Sequence, residues 1–279
     1  MKGLMQNQPL LLSSLLQHAD RFHGDVEIVS RVAEGAIHRE TYGDAARRAR
    51  KLADTLRRIG IAQGDRVGTL AWNTHRHFEI EYAVTGMGAV WHAINPRLIP
   101  AQISYIATHA EDKVLFIESS LVPLVEKLAG QLPTVERFVI LADRATMPST
   151  TLPHVLCYED MLAEGDEDFA WPSFDELSAS SLFYTSGTTG NPKGVLYSHR
   201  SDVLHCLSIC GASFGSLTGL ETVLPMTPMF HANGGWGFTH AAPMVGAKLV
   251  LPGPKLDAAS IAELIDREEV TVTAGVPVL

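Results

Sequence analysis

Cysteine is scarce in this sequence, with three in 279 residues. An odd and sparse count describes no disulfide framework. Cys206 and Cys210 lie four apart in a helical stretch over residues 202–210, with His205 adjacent and His199 upstream, which raises a metal site as one alternative. Zinc usually takes its ligands from two separated pairs, and free cysteine is commonly buried, so core packing is the expectation. Long apolar runs are also missing, and none approaches the ~20 residues that a membrane helix needs. Leu10–Leu16 is apolar, but Gln6, Asn7, Gln8 and Pro9 precede it and Lys2 is the only basic residue before it. No Ala-x-Ala-like cleavage site follows, which argues against a secretory signal and for the cytoplasm.

Positive charge is in short supply. Lys and Arg number 22 against 31 Asp and Glu, for a net charge of −9. That balance argues against nucleic acid as a main partner. A site for a polyanion would have to gather its cations locally. There is no repeat at a fixed period and no low-complexity segment. With 46% hydrophobic and 19% charged residues, the chain has ordinary globular composition. Its length suffices for one large domain or two subdomains.

Periodicity indicates an α/β fold with parallel sheets flanked by helices. Residues 42–59 carry a helical stripe of Ala46, Ala49, Leu52, Ala53, Leu56 and Ile59, with Gly60 as the residue that ends the helix. The basic cluster Arg47, Arg48, Arg50, Lys51, Arg57 and Arg58 reads as a solvated face, because Asp44 and Asp54 interrupt it. A contact with CoA or a membrane is the alternative. Strands over 66–71, 89–94, 113–117 and 137–141 then alternate with helices over 74–87, 101–110 and 122–131. Such alternation implies right-handed crossovers and a parallel sheet. Residues 143–175 are polar, acidic and proline-containing, and read as a loop connecting two subdomains, 1–175 and 176–279. In the second, 247–251 reads as a strand, Asp257 as an N-cap, 258–268 as a helix with Ile261, Leu264 and Ile265 inward, and 270–275 as a strand. His75 and His77 read as structural or surface residues.

The most informative stretch is Leu182–Val195, Leu-Phe-Tyr-Thr-Ser-Gly-Thr-Thr-Gly-Asn-Pro-Lys-Gly-Val. Glycines let backbone N–H groups approach a ligand closely, hydroxyls donate further hydrogen bonds, and Lys193 supplies a point charge. A neutral hydrogen bond is worth about 1 kcal/mol net and one to a charged group about 1.5–3, so a nucleotide triphosphate needs the whole loop. A Walker A loop ends in Gly-Lys-Ser/Thr and runs directly into a helix. Here Pro192 precedes Lys193, Gly194 follows it, and both flanks read as short strands. A Gly/Ser/Thr-rich hairpin of no special function shares part of this composition, but the lysine and the flanks favour phosphate binding.

These residues resemble the signature loop of the adenylate-forming (AMP-binding) enzymes, which include acyl-CoA synthetases, luciferases and the adenylation domains of peptide synthetases. Pro228-Met229-Phe230-His231-Ala232-Asn233-Gly234 resembles the family's Pro-x-Phe-His segment beside the acyl and adenylate site. Gly64-Asp65-Arg66-Val67 and Ile94-Asn95-Pro96-Arg97-Leu98 resemble the medium- and long-chain fatty acyl-CoA ligase branch. The resemblance runs from about residue 10 to the last residue. It implies that Thr185, Ser186, Gly187, Thr188, Thr189, Gly190 and Lys193 hold the ATP phosphates, with Thr185 also holding Mg²⁺. It places His231, Ala232, Asn233 and Trp236 at the acyl and adenylate site, with Trp236 as the candidate gate of an acyl tunnel. Two glycines, Gly234 and Gly235, precede Trp236 here. A buried, satisfied His231 and a purely core Trp236 are the bland alternatives.

The activity so implied is an ATP-dependent fatty acid–CoA ligase, with ATP and Mg²⁺ as cofactors, CoA as co-substrate, small molecules as partners, and a homodimer as a possible assembly of the intact protein. An aryl or short-chain acid, or a non-catalytic nucleotide-binding module, are the competing readings. In the family the adenine and ribose contacts, the hinge and the catalytic lysine come later in the chain. The sequence is therefore expected to be an amino-terminal fragment, inactive alone and carrying no catalytic residue in the strict sense.

Overall fold

The computed structural model describes residues 1, 3–32, 35–185, 191–212, 215–231 and 235–275, the side chains of Gly235 and Trp236 aside. The chain opens with α1 (Ser13–His23), an antiparallel pair β1 (Glu27–Arg31) and β2 (Ile37–Thr41), and α2 (Tyr42–Arg58). The expected alternation follows as β3 (Arg66–Leu70), α3 (His75–Gly86), β4 (Val90–Ala93), α4 (Pro100–Ala110), β5 (Asp112–Glu118), α5 (Val122–Leu128) and β6 (Arg137–Leu141). Then come β7 (Val155–Cys157), α6 (Tyr158–Glu164), β8 (Ala179–Thr185), β9 (Lys193–Ser198) and α7 (His199–Cys210). The described chain closes with β10 (Thr222–Pro225), α8 (Gly235–Val245), β11 (Lys248–Leu251), α9 (Ala258–Glu268) and β12 (Val272–Ala274). Among the described residues no helix is long and apolar enough to cross a membrane.

Two sheets form. One has seven strands in the order β7-β6-β5-β3-β4-β8-β9, the other five in the order β12-β10-β11-β1-β2. All neighbours are parallel except β8–β9 and β1–β2. The division near residue 175 cuts across both sheets, since β8 and β9 complete the first and β1 and β2 complete the second. Successive strand residues point to opposite faces, so each sheet serves two cores. Val67, Trp91, Val114 and Phe116 of one sheet and Ile28, Val223 and Leu249 of the other enclose a central layer with α1, α2, α3, α6, α7 and α8. Leu70, Leu115, Ile117 and Ile140 face outward against α4 and α5. Val29, Leu224 and Val250 face outward against α9 through Ile261 and Leu264.

Local chemistry explains the helix ends. Thr41 and Asp44 form a capping box at α2, with Thr41 Oγ1 accepting from Asp44 N at 3.2 Å and Asp44 Oδ2 accepting from Thr41 N at 3.0 Å. Gly60, at φ +97°, occupies the left-handed position that ends that helix. Asp257 caps α9 as expected, accepting from Ser260 N at 3.0 Å.

Three expectations need correction. Residues 143–175 are not all loop, because β7 extends the first sheet at its edge and α6 packs on α2. Both elements are too short, at three and seven residues, to leave a periodic trace. The basic face of α2 is not uniformly solvated. Arg48 turns inward, pairing with Glu79 at 2.8 Å and bidentately with Glu159 at 3.0 Å, and Arg50 pairs with Asp20 at 3.0 Å. Acidic partners on distant segments draw these guanidinium groups under α6 and α1, which the spacing along one helix does not reveal. Ile265, expected to face inward, is exposed, because the stripe of α9 narrows to Ile261 and Leu264. Cys157 and Cys206 are buried and Cys210 packs against the core. His75 and His77 are buried, with His77 bonded to Thr69 Oγ1 at 2.9 Å and to Trp72 O at 3.1 Å.

Candidate active site

In parallel α/β sheets, ligands bind beyond the carboxyl ends of the strands. β8 runs parallel to β4, with Ser181 beside Trp91 and Leu182 beside His92, so its end at Thr185 lies on that edge. The chain then returns antiparallel along β9, with Thr185 opposite Lys193. The element after the loop is thus a strand, which confirms that this is no Walker A arrangement. Thr185 and Lys193 are both exposed at the mouth of the loop. Ser186, Gly187, Thr188, Thr189 and Gly190 lie outside the described residues.

Tyr184 braces the base of this loop. It sits opposite Gly194, where a Cβ would come within 3.2 Å of Tyr184 Cζ and 3.1 Å of Leu182 Cδ1. Absence of a side chain therefore gives the tyrosine ring its place across the strand. Tyr184 Oη lies 2.6 Å from His109 Nδ1 on α4, and its ring centroid lies 5.2 Å from that of His92. Burial, with the nearby Asp112 charge adding to it, pushes the phenol up to about 12, so it stays a neutral donor at neutral pH. Beneath it His92 and Asp112, both fully buried, meet at 2.8 Å. They meet across Gly68, where a Cβ would stand 2.9 Å from Asp112 Oδ2.

The second sheet brings the His231 segment to the same edge. Asn73, just past β3, donates to Pro225 O at 3.2 Å and Thr227 O at 3.0 Å and accepts from Met229 N at 2.8 Å. Its own carbonyl accepts from Gly253 N at 2.9 Å. The carboxyl ends of β3, β10 and β11 are thereby tied together. Met229 is fully buried while His231 is exposed, its N–H donating to Pro228 O at 3.0 Å in a turn. The alternative of a buried, satisfied His231 is therefore wrong, because the buried anchor of this segment is the methionine two residues earlier. Ala232 and Asn233 lie outside the described residues, and Trp236 falls in the first turn of α8.

Adjacent residues of α3 hold α8. Tyr82 Oη donates to Thr239 O at 3.1 Å, and Glu81 Oε1 lies 2.6 Å from His240 Nε2, all deeply buried. Burial alone would lower the His240 imidazole, but the Glu81 carboxylate and the Cys206 side chain together outweigh it and hold His240 well above the usual range. Sequence reasoning passed over Asn73, Glu81, Tyr82 and His240. Only Asn73 had a usable signal, a polar side chain at the carboxyl end of a parallel strand.

A sequence model of the family described as AMP-binding enzyme matches residues 15–279. The chain belongs to the AMP-binding enzyme family. A medium-chain-fatty-acid–CoA ligase from Ectopseudomonas oleovorans is 48% identical over 279 residues, covering 100% of this chain and 51% of that protein. A 3-methylmercaptopropionyl-CoA ligase from Ruegeria lacuscaerulensis is 47% identical, covering 100% of this chain and 52% of that protein. The chain thus spans about half the length of these curated AMP-binding relatives. Among solved structures, an anthranilate CoA ligase, AuaEII, in complex with anthranoyl-AMP superposes with a TM-score of 0.86 at 22% identity, covering 98% of this chain and 51% of that one. At that identity the likeness establishes the shared α/β fold.

Proposed function

We propose that the whole protein is an ATP-dependent fatty acid–CoA ligase. The observation that carries this reading is the strand–loop–strand unit at the carboxyl edge of the seven-stranded sheet, within a chain matched by the AMP-binding family over residues 15–279. A carboxylate is a poor acylating agent, because its leaving group would be oxide. Attack on the α-phosphate of ATP gives an acyl-adenylate and pyrophosphate, and the CoA thiol then displaces AMP to form the thioester. The first step brings an anion to a polyanion, so the requirement is charge neutralisation and positioning rather than a covalent protein intermediate.

Lys193, exposed beside the loop, is suited to restrain the departing pyrophosphate, and the loop hydroxyls and amides to grip the phosphates. Mg²⁺ supplies further neutralisation when bound to ATP. The exposed Thr185 hydroxyl, an oxygen donor, suits that hard cation. His231 lies exposed in a turn and Trp236 in the first turn of α8, a placement that supports an acyl and adenylate surface there. A cytoplasmic homodimer is the setting we infer for the intact protein.

A shorter acid is the second reading, favoured by the 47% identity to a ligase named for 3-methylmercaptopropionyl-CoA, one percentage point below the medium-chain relative. An ATP–pyrophosphate exchange assay of the whole protein with a panel of carboxylates decides. Exchange driven best by medium or long fatty acids is the expected result. Exchange confined to aryl or three- to four-carbon acids would refute the fatty-acid assignment, and no exchange with any acid would refute the ligase.

A further inference from the structure

Asn73 has all of its side-chain hydrogen-bonding groups committed to one short stretch of chain. Its two amide protons go to Pro225 O and Thr227 O, and its oxygen takes the proton of Met229 N. The residue is 4% exposed, so water does not compete for these bonds. No other side chain offers two donors and one acceptor at this reach. Aspartate has the shape but supplies no donor and adds a buried charge, and alanine supplies neither.

The residues just beyond the clasped stretch give the arrangement its meaning. Met229 is buried and fixed, and His231 emerges two residues later. On its far side the segment enters α8, which α3 grips through Glu81 and Tyr82. Asn73 lies two residues before the first residue of α3. The turn that leads into α3 and α3 itself therefore bond to residues on both sides of His231. His231 stands two residues from the clasped Met229, and misplacement of a reacting group by about 1 Å can cost on the order of a hundredfold in rate.

The geometry points to Asn73 as a positioning residue that fixes where His231 stands relative to the reacting carboxylate, acting through its bonds to residues 225–229. This deepens the ligase reading and rests on it. Asn73 touches no substrate in this assignment; it acts only through His231.

The test is a double-substitution cycle in the whole protein, read by ATP–pyrophosphate exchange with the best acid. Asn73→Ala should lower kcat at least tenfold while the KM for ATP stays within about twofold. In a His231→Ala background the same change should cost less than threefold, because the residue it positions is already gone. Equal losses in both backgrounds would overturn the inference, as would an unchanged kcat. A readout that needs no variant is hydrogen exchange of the Met229 amide in the unsubstituted protein. Strong protection is expected, and exchange at the rate of an exposed amide would overturn the clasp itself even if Asn73→Ala failed to fold. If no acid supports exchange in the unsubstituted protein, the ligase reading fails and the role of Asn73 falls with it. Robust but additive exchange data sink the Asn73 inference alone.

Discussion

Pro243 lies inside α8, where it has no N–H to offer the carbonyl four residues before it, that of Thr239. Tyr82 Oη makes up the bond from the neighbouring helix, at 3.1 Å in a fully buried position. Tyr82→Phe keeps the ring and removes only this donor. Loss of one buried hydrogen bond costs about 0.5–1.5 kcal/mol, and the prediction is a loss of stability in that range. The companion change tests the reason. Pro243→Ala supplies a helical N–H that can bond Thr239 O, so Tyr82→Phe should cost at least about 0.5 kcal/mol less in that background than in the natural one. Urea denaturation followed by circular dichroism at pH 7 gives all four corners of the cycle. An additive double variant, or a single Tyr82→Phe variant as stable as the natural chain, would refute the claim that the tyrosine substitutes for the missing helix bond. Because α8 follows directly from the His231 segment, a loosened α8 should also weaken catalysis before it unfolds the protein.

Two further outcomes are expected. Burial raises the Glu40 carboxyl to about 7 from an ordinary 4.5, outweighing the opposing Arg48 charge. The native state therefore holds a proton that the unfolded chain has already lost, and the stability this confers is complete below about 4.5 and disappears as pH climbs through 7. Glu40→Gln should gain on the natural chain between pH 5 and 8 by up to about 3 kcal/mol, read from urea midpoints, and a pH-independent difference would count against the buried charge. Lys193→Ala in the whole protein should slow adenylate formation about a hundredfold while leaving acyl binding within a few-fold, measured by exchange and by equilibrium titration; an unaltered exchange rate removes Lys193 from the chemistry.

The sequence was informative where a segment carries its own periodicity or an unusual composition. The β3–β6 alternation, the α2 stripe with Gly60, and the two strands flanking Thr185 and Lys193 all follow from residues close together in the chain. The missed elements are those whose identity depends on remote partners. β1 has only Ile28 and Val29 as apolar residues and β2 only Ile37, and they become strands because they pair with each other and β1 pairs with β11. β7 needs β6 beside it, and Arg48 turns inward only because Glu79 and Glu159 converge on it. The candidate site divides the same way. Thr185 and Lys193 were legible in their loop, whereas Asn73 gains its meaning from carbonyls more than one hundred and fifty residues away.

The N-terminal strand β1 lies between β2 and β11, with Ile28 beside Leu249. A growing polypeptide lengthens at about 5–20 residues per second, so on the order of 10–45 seconds separate the appearance of β1 from that of its parallel neighbour. Throughout that interval one edge of the amino-terminal pair stays open, a template for the wrong strand. Long-range closure of this kind slows assembly. A chaperone that shields the nascent β1–β2 pair until β11 emerges should therefore raise the yield of folded protein more than one that acts on the released chain.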